Sequence, residues 1–167
     1  MNVDREFNVG VLLERLVPLA PSGFAVALHI RYSSPRYLFQ NYPQGWRDRY
    51  SASGLVMDDP IVAWCFSGQG TTRWSDIARQ TDPRGRRVLN RARDFGMAFG
   101  VAVAHLRDGT RSIAGLARPD REYSDTEIVE IAQIVANLHA ASGGETDLTE
   151  DDHDTLRRLS IHLTRET

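Results

Sequence analysis

Four aromatic residues and one acid carry the clearest chemical potential in this chain. In NYPQGWRDRYSASGLVMDDP, residues 41–60, Tyr42, Trp46 and Tyr50 recur every four residues, Asp59 stands immediately before Pro60, and Trp74 follows in TTRWSD. A core built for packing alone favours Leu, Ile and Val, whereas each of these aromatics has a hydroxyl or indole N–H that needs a partner once buried. With Asp59 they offer several donors and one carboxylate acceptor. Such a set suits a small ligand whose carbonyl oxygens accept from Tyr and Trp and whose amide N–H donates to Asp59. Two simpler readings stand beside it. The i, i+4 spacing would stack the three aromatics on one helix face as core, and Asp59 would cap a helix beginning at Pro60.

Other chemistry is poorly supplied. There is no nucleophile elbow, P-loop, dinucleotide fingerprint or HExxH, so no enzymatic activity is expected. The single cysteine, Cys65 in IVAWCF, excludes an internal disulfide framework and reads as a buried packing thiol. No Cys/His group has zinc-ligand spacing, and neither a metal nor another cofactor is expected. The five histidines fall in different predicted elements, and His29 reads as a structural or solvent-facing strand residue.

The elements that must position these side chains follow from periodicity. Val9, Leu12, Leu13 and Leu16 predict an amphipathic helix over 4–17, stopped by Pro18. Phe24, Val26, Leu28 and Ile30 alternate in FAVALHIRY, a strand with RYLFQ as its hairpin partner and with His29 on the face opposite Leu28 and Ile30. Residues 43–53 and 59–67 read as short helices, with Pro60 in the first turn of the second; 68–83 is loop-like, and 84–95 is helical. Two β-rich runs in MAFGVAVAHLRDGTRSIAGLAR meet at Asp108-Gly109, a hairpin signal. Ser124-Asp125-Thr126-Glu127 is a capping box opening a helix to about His139, broken by Ser142-Gly143-Gly144. Thr149-Glu150-Asp151-Asp152 would open a final helix bearing Leu156, Leu159 and Leu163. The order predicts an antiparallel sheet with helices on both faces.

At 167 residues the chain is most simply one domain, long enough to bury close to 70% of its unfolded surface. No apolar run approaches the roughly 18 residues of a bilayer span; a protein of the reducing cytoplasm, with no membrane contact, is expected. Net charge is −2, and all 20 basic residues are Arg. Arg84, Arg86, Arg87, Arg91 and Arg93 form one cluster, read as a solvated helix face or a phosphate-binding patch. Six acids and no base lie between Glu145 and Asp154, a poor surface to offer nucleic acid.

YPxxWxxxY followed by the Asp59-Pro60 dipeptide and then RWSD resembles the autoinducer-binding domain of LuxR-type quorum-sensing regulators, over the first helix through His139. The resemblance implies an α/β (α+β) fold: an α/β/α sandwich around a central five-stranded antiparallel sheet, PAS/GAF-like. It implies an N-acyl-homoserine lactone as ligand, with Trp46 donating to the lactone carbonyl, Asp59 accepting from the amide N–H and Tyr42 donating to the amide carbonyl. Tyr50 and Trp74 would wall the pocket, while Pro60 and Gly100 would be structural. Family members often place a Ser or Thr in the last hairpin strand. Here Ile113, Ala114, Gly115 and Leu116 stand there, with Ser112 the nearby hydroxyl left to meet the ligand, which favours an unsubstituted acyl chain.

The expected organisation is therefore 1–142 as the autoinducer-binding domain and 143–167 as an acidic linker plus a single helix, a truncated or degenerate remnant of a helix-turn-helix domain. Within that remnant LTEDDHDTLRRLS resembles LTxRExxVL with Asp151-Asp152 in place of the Arg-Glu pair. Specific DNA binding by these residues alone is not expected, because a recognition helix needs a second helix and a turn. An excised domain and a natural short form are both compatible with this ending. A homodimer is expected, and a short form could pair with a full-length regulator and modulate it. Competing with the sensor reading is a protein-interaction module of the same fold, its pocket vestigial or holding a ligand other than a lactone.

Overall fold

The computed structural model describes residues 8–32 and 34–143, Glu150, and the backbone of 162–165. The first helix, α1 (Val9–Leu16), is capped by the Asn8 side chain, which accepts from the Val11 N–H at 3.0 Å. The hairpin β1 (Gly23–Ile30) and β2 (Tyr37–Gln40) comes next, then α2 (Gln44–Ala52), a 3₁₀ turn at Leu55–Met57, and α3 (Pro60–Ser67). A short strand β3 (Gly70–Arg73) runs straight into α4 (Trp74–Gln80), and α5 (Pro83–Arg93) follows. The second hairpin, β4 (Phe99–Arg107) and β5 (Thr110–Arg118), turns at Asp108 and Gly109, both at positive φ as its tight turn requires. Ser124 and Glu127 close a reciprocal capping box at the start of α6 (Asp125–Ala141).

The strands pair antiparallel in the order β3-β4-β5-β1-β2, and β6 (His162–Arg165) extends the sheet beyond β2. The five-stranded sheet is as expected; the sixth strand is an addition. Leu163 lies in that strand, opposite Phe39, and not in a helix. Leu156 and Leu159, the other apolar positions of the predicted final helix, fall outside the described residues. The stretch 68–83 is not a loop either. Its strand is four residues long and its helix seven, too short for a period to register against the flanking Gly and Thr residues.

Alternation within the strands divides the molecule into two cores. Phe24, Val26, Leu28, Phe39, Val101, Val103 and Leu116 face α1 and α6 with Leu12, Leu13, Leu16, Ile131, Ile134 and Leu138. The opposite face meets α2, α3, α4 and α5 through much smaller residues. Across the sheet, Gln40, Ala25, Gly115, Ala102 and Thr72 form one row, and Leu38, Ala27, Ile113, Ala104 and Gly70 the next. Large side chains fill one side of the sheet. Small ones leave space on the other.

A bulge in β1 breaks this alternation near its end. The register against β5 shifts between Ala27 and Ile30, and His29 takes φ 55°. The extra residue puts His29 on the α6 side, contrary to the face that strict alternation predicts, and turns Ile30 toward the other helical layer.

Candidate ligand-binding site

Between the small-residue face of the sheet and the α2–α5 layer lies a cavity of about 370 Å³, the size class of small-molecule sites. Its floor includes Ala25, Ala27, Ile113 and Gly115; its roof includes Trp46, Tyr50, Ile61, Val62 and Cys65. Tyr42, Asp59, Trp74, Val88 and Met97 also line it. Five of the six residues expected to contact a ligand thus converge on one space.

Each arrives by its own route. Trp46 and Tyr50 are one turn apart on α2, rings 5.4 Å centre to centre, and Phe95 packs on Trp46 at 5.9 Å. Tyr42 precedes α2 and is not on its face as the four-residue spacing predicts; Pro43 is the N-cap and starts the helix after it. The Tyr42 hydroxyl donates to the Gly115 carbonyl at 2.9 Å. Trp74 opens α4 and lies flat on Gly100, where an added Cβ would stand 2.1 Å from its Cδ2. Only glycine allows that approach. The absence of a side chain at Gly100 thus leaves room for the Trp74 ring that lines the cavity.

Asp59 caps a helix with one oxygen and borders the cavity with the other. Its Oδ1 accepts from the N–H groups of Ile61 at 2.8 Å and Val62 at 3.4 Å, capping α3, with Pro60 in the first turn. Its Oδ2 accepts from the Tyr50 hydroxyl at 2.7 Å and belongs to the cavity. Burial pushes the carboxyl above the usual range, while Tyr50 and the two backbone donors pull it back toward the ionised form. Burial first, and then the Asp59 charge, raise the Tyr42 and Tyr50 hydroxyls, so both stay protonated donors near neutrality. Burial likewise pushes the Cys65 thiol up to about 12, consistent with an inert packing role. Two indole donors are uncommitted: Trp74 Nε1 is buried with no partner, and Trp46 Nε1 makes no hydrogen bond among the described residues.

Ser112 is the exception among the expected contacts. Odd and even positions of β5 face opposite ways, so Ile113 and Gly115 meet the cavity and Ser112 turns to α6. There it is fully buried, and its Oγ donates to His139 Nδ1 at 2.6 Å while accepting from the His29 N–H at 3.1 Å.

That contact belongs to a cluster invisible in the sequence. His29, His105 and His139 come from β1, β4 and α6, with ring centres 4.1 Å and 4.9 Å apart along the chain of contacts. His29 Nε2 donates to the His139 carbonyl at 2.7 Å, and His139 Nε2 donates to the Arg107 carbonyl at 3.1 Å. Their Nδ1 atoms face the hydroxyls of Thr110 and Ser112, which fits neutral rings. Burial and the neighbouring His29 hold His139 down at about 4. The cluster fastens α6 to the sheet on the side away from the cavity.

An apolar cavity with a few convergent polar groups, sandwiched between a sheet and helices, defines a small-molecule-binding domain. The chain matches the family model described as the autoinducer binding domain over residues 23–142, and it belongs to that family, the ligand-binding part of LuxR-type regulators. The transcriptional activator SolR of Ralstonia nicotianae is 35% identical over 126 residues, 73% of this chain and 48% of that protein. A putative HTH-type transcriptional regulator, y4qH of Sinorhizobium fredii, is 33% identical over 104 residues, 59% of this chain and 32% of its own. The chain thus spans about half the length, or less, of these relatives. Among solved structures, the solution structure of residues 1–171 of E. coli SdiA superposes with a TM-score of 0.62 at 18% identity, covering 83% of this chain and 86% of that one. The N-acylhomoserine-lactone-dependent CepR2 of Burkholderia cenocepacia gives 0.51 at 22% identity, covering 73% and 71%. These two share the fold. Among the described residues no helix is long and apolar enough to cross a membrane.

Proposed function

We propose that this chain is a sensor domain that binds an N-acyl-homoserine lactone as the input to quorum-sensing transcription control and catalyses no reaction. One observation carries the reading. The Asp59 carboxylate and the Trp46 indole, an acceptor and a donor, line the same cavity, whose sheet floor is largely apolar with Ala25, Ala27 and Gly115 leaving room in it. An amide-linked lactone presents the complementary groups. Asp59 Oδ2 takes the amide N–H, Trp46 Nε1 meets the lactone carbonyl, and the acyl chain lies along Ala25, Ala27 and Ile113. Tyr42 reaches the amide carbonyl by redirecting its hydroxyl from the Gly115 carbonyl, since one O–H serves one acceptor at a time.

The energies are adequate. A hydrogen bond to a charged group contributes about 1.5–3 kcal/mol, and each buried methylene about 0.8 kcal/mol. With Ser112 turned away, the floor supplies no side-chain hydroxyl, which supports an unsubstituted acyl chain. A thermal-shift panel of lactones differing in chain length and 3-substitution tests both statements. Absence of a shift with every lactone would defeat the sensor reading, and a larger shift with 3-oxo chains would defeat the acyl preference. Self-association, and pairing with a longer regulator, belong to the same proposal and are read by sedimentation with and without lactone.

A further inference from the structure

We infer that Tyr50 is more than a wall: it is a positioning residue whose hydroxyl, 2.7 Å from Asp59 Oδ2, fixes the carboxylate that accepts the ligand N–H. The inference rests on the amide-binding reading above. Three fixed donors meet this carboxylate, two from the backbone of α3 on Oδ1 and the Tyr50 hydroxyl on Oδ2. The backbone pair cannot move without unwinding the first turn of α3. Tyr50 is the only one of the three that holds the oxygen left for a ligand.

An ionised carboxylate oxygen has lone pairs for two donors, so Tyr50 and an amide N–H can share Oδ2. A protonated carboxyl would instead turn a hydroxyl toward the amide N–H. The tilted contact of the Tyr50 ring with Trp46, 5.4 Å between centres, packs the phenol against the expected lactone donor one turn away on α2. Cavity-side neighbours that titrate or carry charge are Tyr42, Tyr50, Cys65 and Arg47, and burial holds the first three protonated near neutrality. On its outer side Asp59 borders a cleft shared with Asp58, Asp76, Asp82 and Arg84. Those groups act equally in wild type and in a Tyr50 variant, so the difference between the two isolates the hydroxyl.

Tyr50→Phe keeps the ring and removes the O–H. Carbon-detected NMR of aspartate-labelled protein without ligand gives the Asp59 midpoint, identified by its loss in Asp59→Asn. We expect Tyr50→Phe to raise that midpoint by about one pH unit or more, and to move the acid limb of lactone affinity upward equally, with affinity regained at higher pH. An unchanged midpoint, with affinity reduced by the same factor at every pH, would mean that Tyr50 only packs and would overturn the inference. If the wild type binds no lactone, the proposed function falls, while the Asp59 midpoint in the two proteins still decides the role of Tyr50.

Discussion

At the scale of single residues, one side chain both caps a helix and lines the candidate site. Asp59 caps α3 through one oxygen and faces the cavity through the other, so its substitutions should separate the two roles. Asp59→Ala loses the cap, at about 0.5–2 kcal/mol in urea denaturation, and loses lactone binding. Asp59→Asn keeps an acceptor for the Ile61 N–H and so most of the stability, yet it lacks the charge. Retained affinity in Asp59→Asn would argue against a charge-assisted bond to the ligand. Gly100 makes a different demand, on space. Gly100→Ala would put a methyl 2.1 Å from Trp74 Cδ2, which overpacking of this kind makes costly by roughly 1–3 kcal/mol. The indole must also shift, which intrinsic Trp fluorescence would report.

At the scale of elements, the sheet works because its faces differ. β1 places Phe24, Val26 and Leu28 against α1 and α6, and Ala25 and Ala27 against the cavity under the α2–α5 layer. Replacing Ala27 by Leu should fill the acyl path and abolish the lactone-induced thermal shift. The stability of the free protein should stay within about 1.5 kcal/mol, because the added carbons enter existing space. On the other side, α6 is fastened through His29, His105 and His139, all held neutral by burial, with Arg31, Arg36, Arg107 and Asp108 nearby. A histidine whose folded pKa lies below its unfolded value of about 6.5 stabilises the fold fully above that value. The contribution is lost as pH falls toward the His139 value of about 4. The urea midpoint should therefore drop across that window, and less steeply in His139→Asn. Equal slopes in the two proteins would assign the acid sensitivity elsewhere.

At the scale of the whole molecule, the α2–α5 layer and the α1/α6 layer form two cores on opposite faces of the sheet. Filling one of them couples ligand binding to global stability. At a lactone concentration 100 times the Kd the native state gains about 2.7 kcal/mol, or roughly 5–10 °C in Tm for a chain of this size. A saturating lactone that leaves Tm unchanged would mean that it binds without preferring the folded state, contrary to a site buried inside a core.

The sequence by itself determined much of this. The hairpins, the long capped helix, the cap at Asp59 and the aromatic and acidic set were legible because each depends on residues within about four positions, where periodicity and capping chemistry operate. What it could not determine were relations across the sheet. The bulge that moves His29 to the α6 side, the turn of Ser112 toward α6, the union of three histidines scattered over 110 residues, and the seating of Trp74 on Gly100 arise from strand register. Register is settled by packing both faces at once, and a shift of one residue exchanges those faces. Tertiary structure alone decided which donors Asp59 meets, and so which of its two oxygens faces the cavity.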